Sequence, residues 1–261
     1  MRSEFDGAVV IVTGGTSGIG RAVAEAFGRE RAIVGILGRD AVRAAEVVEA
    51  VGRSGGRAES LIADLRDPQA VERVLEEFCG RNGTLRAAVN TAGIDREGGV
   101  FDATLPDFEE TFDVNVRGLW VCMKAEIAAM RKAGQGAIVN VTSISARLET
   151  PANALYSASK AAASMLTRCA ALEEGPRGIR VNELSPGPVD TPMLRGFFEK
   201  ARAKGVHTGP EDLARVSPLR RIGQPGEMAD IALFLCSEKA AYINGACLTA
   251  DGGISLGMRV G

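Results

Sequence analysis

Short apolar runs recur along the chain, separated by longer stretches in which polar and apolar residues alternate with helical spacing. The runs AVVIV (8–12), AIVGIL (32–37), AESLI (58–62), AAVN (87–90), AIVNV (137–141), IRVNEL (179–184) and ACLT (246–249) read as strands. They are rich in β-branched residues and lack strict polar alternation, as strands covered on both faces should. Between them, RAVAEAFGRE places Ala22, Val23, Ala26 and Phe27 on one helical face. AVRAAEVVEAVG and QAVERVLEEFCG repeat that pattern, and each ends at a glycine, Gly52 and Gly80, that is expected to stop the helix. Longer helices are expected over roughly 104–132 and 153–174.

Strand and helix therefore alternate from end to end. That order predicts an α/β fold: a doubly wound parallel sheet with right-handed crossovers and helices on both faces. No linker, internal repeat or low-complexity tract divides the chain, so residues 1–261 are expected to form one domain. The stretch 190–224 has no core strand. Inside a compact domain such an insert reads as a lid or binding segment.

Composition narrows the function classes. Of 261 residues, 46% are hydrophobic, enough for one large core; 31 Lys and Arg against 33 Asp and Glu leave a net charge of −2. That balance supplies no field for nucleic acid or an acidic membrane surface. No apolar run approaches the ~18 residues of a membrane span. The start, MRSEFDGAVVIV, is too acidic and too briefly apolar for a signal peptide, so a cytoplasmic protein is expected. Cys79, Cys122, Cys169, Cys236 and Cys247 are scattered, and read as small buried hydrophobes, with neither disulfides nor a metal site expected. His207 is the only histidine and lies in the insert, where it reads as a solvated loop residue. Any proton chemistry must then rest on other side chains.

Directly after the first strand comes TGGTSGIG, with Gly14, Gly18 and Gly20 leading into a helical pattern. A turn from strand to helix points free N–H groups at its mouth, the helix dipole adds partial positive charge, and glycine lets the backbone approach an anion. A pyrophosphate is the expected ligand. The second strand ends GILGRD, with Arg39 where many dinucleotide sites carry an acid. A guanidinium suits a 2′-phosphate, so NADP is preferred to NAD as cofactor; Asp40 keeps NAD open, although it also suits the cap of the next helix.

With these residues in hand, the chain resembles the short-chain dehydrogenase/reductase family, over nearly its whole length. TGGTSGIG matches the family's cofactor turn, and so brings in Thr16, Ser17 and Ile19. Asp64 and Leu65 match the segment that meets the adenine. NTAG resembles the family's N-N-A-G stretch, carrying over Asn90, Ala92 and Gly93, with Thr91 in place of an asparagine. VNVRG supplies Asn115, VTSIS supplies Ser143, and YSASK supplies Tyr156 and Lys160. SPGPVDT, with Pro186, Gly187, Val189 and Thr191, resembles the turn beside the nicotinamide, and DGG (251–253) the closing motif. The resemblance implies a Rossmann-type seven-stranded sheet in order 3-2-1-4-5-6-7, a substrate-covering insert at 190–224, and a homotetramer or, less often, a homodimer.

It also implies a catalytic set of Asn115, Ser143, Tyr156 and Lys160. Tyr156 and Lys160 are one helical turn apart on one face. A free tyrosine has a pKa of about 10; a nearby ammonium favours the phenolate, so Lys160 is expected to lower it. Tyr156 then acts as acid or base to the substrate oxygen while hydride passes to or from the nicotinamide, and Ser143 stabilises the developing charge on that oxygen. By resemblance, Lys160 also binds the nicotinamide ribose, and Asn115 holds a water linking Lys160 to solvent.

The substrate is expected to be a small molecule, a carbonyl or secondary alcohol: a 3-oxoacyl thioester, or a sugar, steroid or xenobiotic alcohol. Its walls are expected from 94–99, 145–155 and the insert, with Asp95, Arg96, Arg147, Glu149, Met193, Leu194, Phe197 and Phe198. The alternative is a dinucleotide-binding redox sensor or scaffold without turnover; retention of Tyr156 and Lys160 favours the enzyme. Trp120 reads as helix packing.

Overall fold

The structure is a computed structural model, and it describes residues 3–148 and 153–257. Seven parallel strands form one sheet in the order β3-β2-β1-β4-β5-β6-β7. The strands are β1 (Val9–Thr13), β2 (Ile33–Gly38), β3 (Arg57–Ile62), β4 (Leu85–Asn90), β5 (Gly136–Val141), β6 (Ile179–Pro186) and β7 (Cys247–Ala250). Each falls within two or three residues of its expected bounds. Alternate residues of β1 feed opposite faces: Val10 and Val12 join one apolar cluster, Val9 and Ile11 the other. Central strands β1 and β5 are buried throughout, whereas edge strands β3 and β7 are mostly accessible. Only the inner strands therefore meet the expectation of cover on both faces.

Helices α1 (Gly18–Arg29), α2 (Ala41–Arg53) and α9 (Pro225–Cys236) cover one face, where Val23, Phe27, Val47, Val51 and Leu235 are buried. Helices α3 (Pro68–Asn82), α5 (Leu119–Arg131) and α6 (Ala154–Glu174) cover the other. The expected glycine stops do not hold: Gly52 and Gly80 lie inside helices, as Gly28 does in α1. Gly28 serves packing instead, since a Cβ there would lie 2.9 Å from Val51 Cγ1 on α2. Helix α3 does end before a glycine, Gly83, at φ +105°.

The helix expected over 104–132 is divided. Helix α4 (Leu105–Phe112) leads into a π-helical turn, Asp113–Gly118, and then α5. The widened turn carries Asn115, and such turns recur where a functional residue must be re-aimed. The insert holds α7 (Pro192–Ala203) and α8 (Pro210–Val216), and an isolated bridge from Val189 to Gly223 closes its base. Two cysteines, Cys122 and Cys236, are buried as expected, but Cys169 faces solvent from α6. Trp120 is half exposed on α5 with Lys124 over its ring, so it is not core packing. His207 is exposed in the loop before α8.

Candidate active site

All strands run parallel, so their carboxyl ends share one edge, and a cleft of about 620 Å³ opens there. The glycine turn residues Gly14, Thr16, Ser17, Gly18, Ile19 and Gly20 line one end of it. Gly14 and Gly18 have φ of +66° and +52°. A Cβ on Gly14 would sit 2.7 Å from the Ala92 backbone, and one on Gly20 would collide with the Gly14 carbonyl. The turn thus folds tightly over the end of β4. Thr91 helps to hold it: its hydroxyl donates to the Thr13 carbonyl at 2.6 Å. The departure from the expected asparagine therefore supplies a hydrogen bond of its own.

Helix α1 starts at this turn without a side-chain cap. Ser17 occupies the N-cap in extended conformation but makes no capping hydrogen bond, and the first turn carries no acid. Helices α2, α3 and α7 are capped by Asp40, Asp67 and Thr191. An open helix start facing a glycine cradle fits a pyrophosphate, because free N–H groups and the helix dipole both favour an anion. At the rim, Arg66 forks onto Asp64 at 2.6 to 3.1 Å, and Arg39 Nη1 lies 3.6 Å from the same carboxylate. The Arg66 hydrogen bonds, helped by the charge of Arg39, hold Asp64 down at about 2. Two guanidinium groups against one carboxylate leave positive charge for a phosphate. Leu65, Ala92, Gly93, Pro186, Gly187, Val189 and Thr191 also line the cleft. Asn90 does not, which corrects the sequence reading. Its side chain accepts from Thr13 Oγ1 and donates to Glu126 and Asn140, at 3.2, 2.9 and 3.0 Å, tying β1, β4, β5 and α5 together beneath the cleft.

Ser143, Tyr156 and Lys160 meet at the middle of the cleft. Ser143 follows β5 and caps the short turn Ile144–Ala146, accepting from Ser145 N at 3.1 Å. It is hydrogen-bonded to the Tyr156 side chain. Lys160 is 5% exposed; its ammonium donates to the Val141 carbonyl at 3.1 Å and lies 5.6 Å from the Tyr156 ring centre. Gly93 gives it room, since a Cβ there would stand 3.3 Å from Lys160 Nζ.

The electrostatics of this group differ from expectation. Burial pushes Tyr156 up to about 12; the hydrogen bond with Ser143 works against that, and the Asp95 carboxylate adds to it. Burial also brings Lys160 down to about 8, against the pull of Asp95 and Glu183. In the cofactor-free protein, loss of solvent outweighs any ammonium effect on the phenol, because both groups lie deep in the same low-dielectric pocket. The Asn115 side chain lies close by, since a Cβ on Gly93 would stand 3.3 Å from both its Oδ1 and Lys160 Nζ. Its Oδ1 accepts from Ile94 N at 2.8 Å, and its Nδ2 donates to Ile94 O at 2.9 Å and to Ser159 Oγ at 3.0 Å. Ser159 Oγ donates in turn to the Tyr156 carbonyl at 2.7 Å. Both polar atoms of the amide are engaged, so the side chain braces the loop after β4 against α6 and lies behind the cleft.

The far wall is apolar on one side. Met193, Leu194 and Phe197 of α7 line it, whereas Phe198 is buried behind them. Lys200 of the same helix and Lys204, just past its end, face Glu97 at 4.0 and 2.7 Å, mooring α7 to the loop after β4. Asp95 lines the cleft; Arg96 does not reach it and pairs with Glu110 at 2.7 Å. Arg147 turns away from the cleft onto Glu183. Glu149 lies outside the described residues. Asn153, within the expected 145–155 wall, lines the cleft, and so does Ile254, which lies outside every expected wall. Asn153 immediately precedes α6, and Ile254 reaches in from beyond β7.

A family model described as Enoyl-(Acyl carrier protein) reductase matches residues 14–255. An uncharacterised oxidoreductase, YxbG, of Bacillus subtilis is 35% identical over 254 residues, covering 96% of this chain and 92% of that protein. A 2,5-dichloro-2,5-cyclohexadiene-1,4-diol dehydrogenase of Sphingobium indicum is 37% identical over 256 residues, covering 97% and 99%. A crystal structure of a short-chain type dehydrogenase/reductase from Mycobacterium marinum superimposes with a TM-score of 0.89 at 30% identity, covering 96% of each chain.

Proposed function

Because the chain belongs to the short-chain dehydrogenase/reductase family and is therefore an NAD(P)-linked oxidoreductase, we propose that it interconverts a small carbonyl compound and its secondary alcohol with Tyr156 as the proton carrier. The observation that carries this reading is the convergence of Ser143, Tyr156 and Lys160 in one cleft with the open start of α1. A bound nicotinamide supplies or accepts the hydride and, when oxidised, sets positive charge beside the phenol. Tyr156 Oη gives its proton to the substrate oxygen in reduction and takes it back in oxidation. Ser143 Oγ, already hydrogen-bonded to Tyr156, is placed to share that oxygen and stabilise its charge. Lys160 keeps a cation near both, held by the Val141 carbonyl. The alternative of a sensor without turnover has no comparable support, since the relatives carry enzyme names.

NADP is the preferred cofactor in this reading, on the strength of Arg39 and Arg66 at the rim. The whole chain acts as one catalytic domain, with α7 and α8 covering the substrate. Half-exposed Trp120 on α5, and Met165 and Leu172 on α6, offer apolar surface for a homotetramer or homodimer. The described helices include none long and apolar enough to cross a membrane, and five free thiols suit the cytoplasm, where we place the protein. Among substrates, a 3-oxoacyl thioester and a sugar, steroid or xenobiotic alcohol all fit the chemistry, and the diol dehydrogenase of Sphingobium favours a ring-bearing alcohol.

The test is to follow the reduced nicotinamide by absorbance with a panel of ketones and alcohols, using either cofactor. Turnover by the native protein is expected, with a loss of about 10²–10⁴-fold in Tyr156→Phe and little change in cofactor affinity. Equal turnover in that variant overturns the proton-carrier assignment.

A further inference from the structure

Two oxygen atoms, on side chains of residues that line the cleft, are buried and unsatisfied. Asp95 Oδ1 and Asn153 Oδ1 have no hydrogen-bond partner among the described residues, and both side chains line the cleft that holds Ser143 and Tyr156. The two side chains are hydrogen-bonded to each other, which leaves one acceptor oxygen on each for another donor. Their placement is fixed by the backbone. Asn153 occupies the N-cap position of α6 three residues ahead of Tyr156, without a side-chain capping bond, and Ser157 N donates to its carbonyl at 3.0 Å. Asp95 follows Ile94, whose backbone is gripped on both sides by Asn115. A bridge from Gly98 to Asn153 joins the two segments.

Buried acceptors need donors, and unmatched ones weigh against the folded state. The surroundings decide which kind of donor suits them. Lys160 and Lys200 act on Asp95 as cations and Glu97 as an anion. With Lys204 also on Glu97, the two carboxylates have no excess of negative charge, so a cationic ligand gains no net attraction here. Opposite stands an apolar wall that includes Ile94, Leu148, Met193 and Phe197. The matching ligand is neutral, apolar on one face, and bears hydroxyl groups along one edge.

We propose that Asp95 and Asn153 form a hydroxyl-recognition subsite that selects neutral cyclic substrates carrying a second hydroxyl on the carbon next to the reacting one. This rests on the oxidoreductase reading, with the reacting oxygen at Ser143 and Tyr156 and the second hydroxyl donating to Asp95 or Asn153. A site built to hydrogen-bond a hydroxyl discriminates strongly against the analogue that lacks it, because the analogue leaves the buried acceptors unpaired.

The experiment compares 1,2-cyclohexanediol with cyclohexanol, and D-glucose with 2-deoxy-D-glucose, by kcat/KM in the native protein, Asp95→Asn and Asp95→Leu. The hydroxylated member of at least one pair is expected to be favoured tenfold or more, and that ratio is expected to fall at least tenfold in both variants. A ratio near one in the native protein, or an unchanged ratio in the variants, overturns the subsite while leaving the oxidoreductase reading intact. A second measurement does not depend on turnover. With NADP bound, 1,2-cyclohexanediol or glucose is expected to raise the thermal midpoint of Tyr156→Phe more than the deoxy partner does, and adding Asp95→Asn is expected to erase the difference. Should no alcohol be turned over, that difference still supports the subsite, and its absence refutes it.

Discussion

Arg147 lays both terminal nitrogens against the carboxylate of Glu183, each at 3.0 Å. The same carboxylate accepts from Thr142 Oγ1 at 2.5 Å and Ser164 Oγ at 2.7 Å. Thr142 and Arg147 flank Ser143, so one buried acid on β6 grips both ends of the segment that carries Ser143. Burial works to raise the Glu183 pKa, yet the bonds from Arg147, Thr142 and Ser164 hold it below the usual carboxylate range.

That pair is lopsided, and its two halves are expected to behave differently. Glu183 is 1% exposed while Arg147 is 45% exposed. Arg147→Met strands a buried carboxylate and is expected to cost up to about 3 kcal/mol, whereas Glu183→Gln frees an arginine that reaches water and is expected to cost about 1 kcal/mol. Denaturant unfolding of the two variants checks the order. Both are expected to lower kcat more than they raise KM for cofactor, because the segment they loosen carries Ser143. Equal stabilities would show that burial does not govern the pair.

The titration of Tyr156 gives a second test. An acid whose folded pKa is raised stays protonated over a wider range, so in the cofactor-free protein its phenolate is expected only near pH 12. The difference in ultraviolet absorbance between native protein and Tyr156→Phe isolates it from Tyr242. Adding oxidised NADP is expected to bring that transition down by at least one pH unit, since positive charge beside a phenol favours its ionised form. Alcohol oxidation should then rise with pH and carbonyl reduction fall. A transition that ignores the cofactor would contradict the proposed chemistry.

Cofactor choice turns on Arg39. With Arg66 committed to Asp64 at 2.6 Å, Arg39 at 3.6 Å is the looser cation and the freer to meet a 2′-phosphate. Arg39→Asp replaces attraction by repulsion, and the ratio of NADP to NAD affinity is expected to drop by about 100-fold, equivalent to about 2.7 kcal/mol. Binding isotherms with the two dinucleotides check it; an unchanged ratio places the phosphate elsewhere.

Glu126 predicts a dependence of stability on pH. It is fully buried on α5, accepts one hydrogen bond from Asn90, and burial raises it from 4.5 to about 7. The sign follows from linkage. Below about 4.5 both folded and unfolded chains hold the proton and nothing is lost. As pH rises to 7 the unfolded chain releases it first, so the folded state loses stability, by about 3 kcal/mol once the loss is complete. Glu126→Gln is expected to raise the thermal midpoint by several degrees at pH 8 and to leave it nearly unchanged at pH 4.5. A gain of the same size at both pH values would mean that the carboxyl is not the source.

Much of this molecule was legible in the chain, and the reasons are local. Strands such as AVVIV and AIVNV are apolar because both sides of the sheet are covered, so their period and composition betray them. Gly14, Gly18 and Gly20 are legible because their backbone positions exclude a Cβ or favour positive φ. What escaped depends on distance across the fold. Nothing near Asn90 in sequence reveals Glu126 beneath it, and nothing near Arg147 reveals Glu183, thirty-six positions on. The rise in the Tyr156 pKa escaped for the same reason: the spacing to Lys160 is visible in the chain, but the depth at which both are buried is not.

The uncapped start of α1 carries a consequence beyond chemistry. Whatever dinucleotide seats there completes a helix terminus that the chain leaves unfinished, so occupancy and folding are one coupled equilibrium. At a free concentration 100 times its dissociation constant, such a ligand adds about 2.7 kcal/mol to the folded state. Inside a cell, where unfolded molecules are cleared by proteases, that margin changes how long each copy survives. The abundance of this protein should therefore follow the pool of the coenzyme it draws upon, rising when that pool is full and thinning when it is spent.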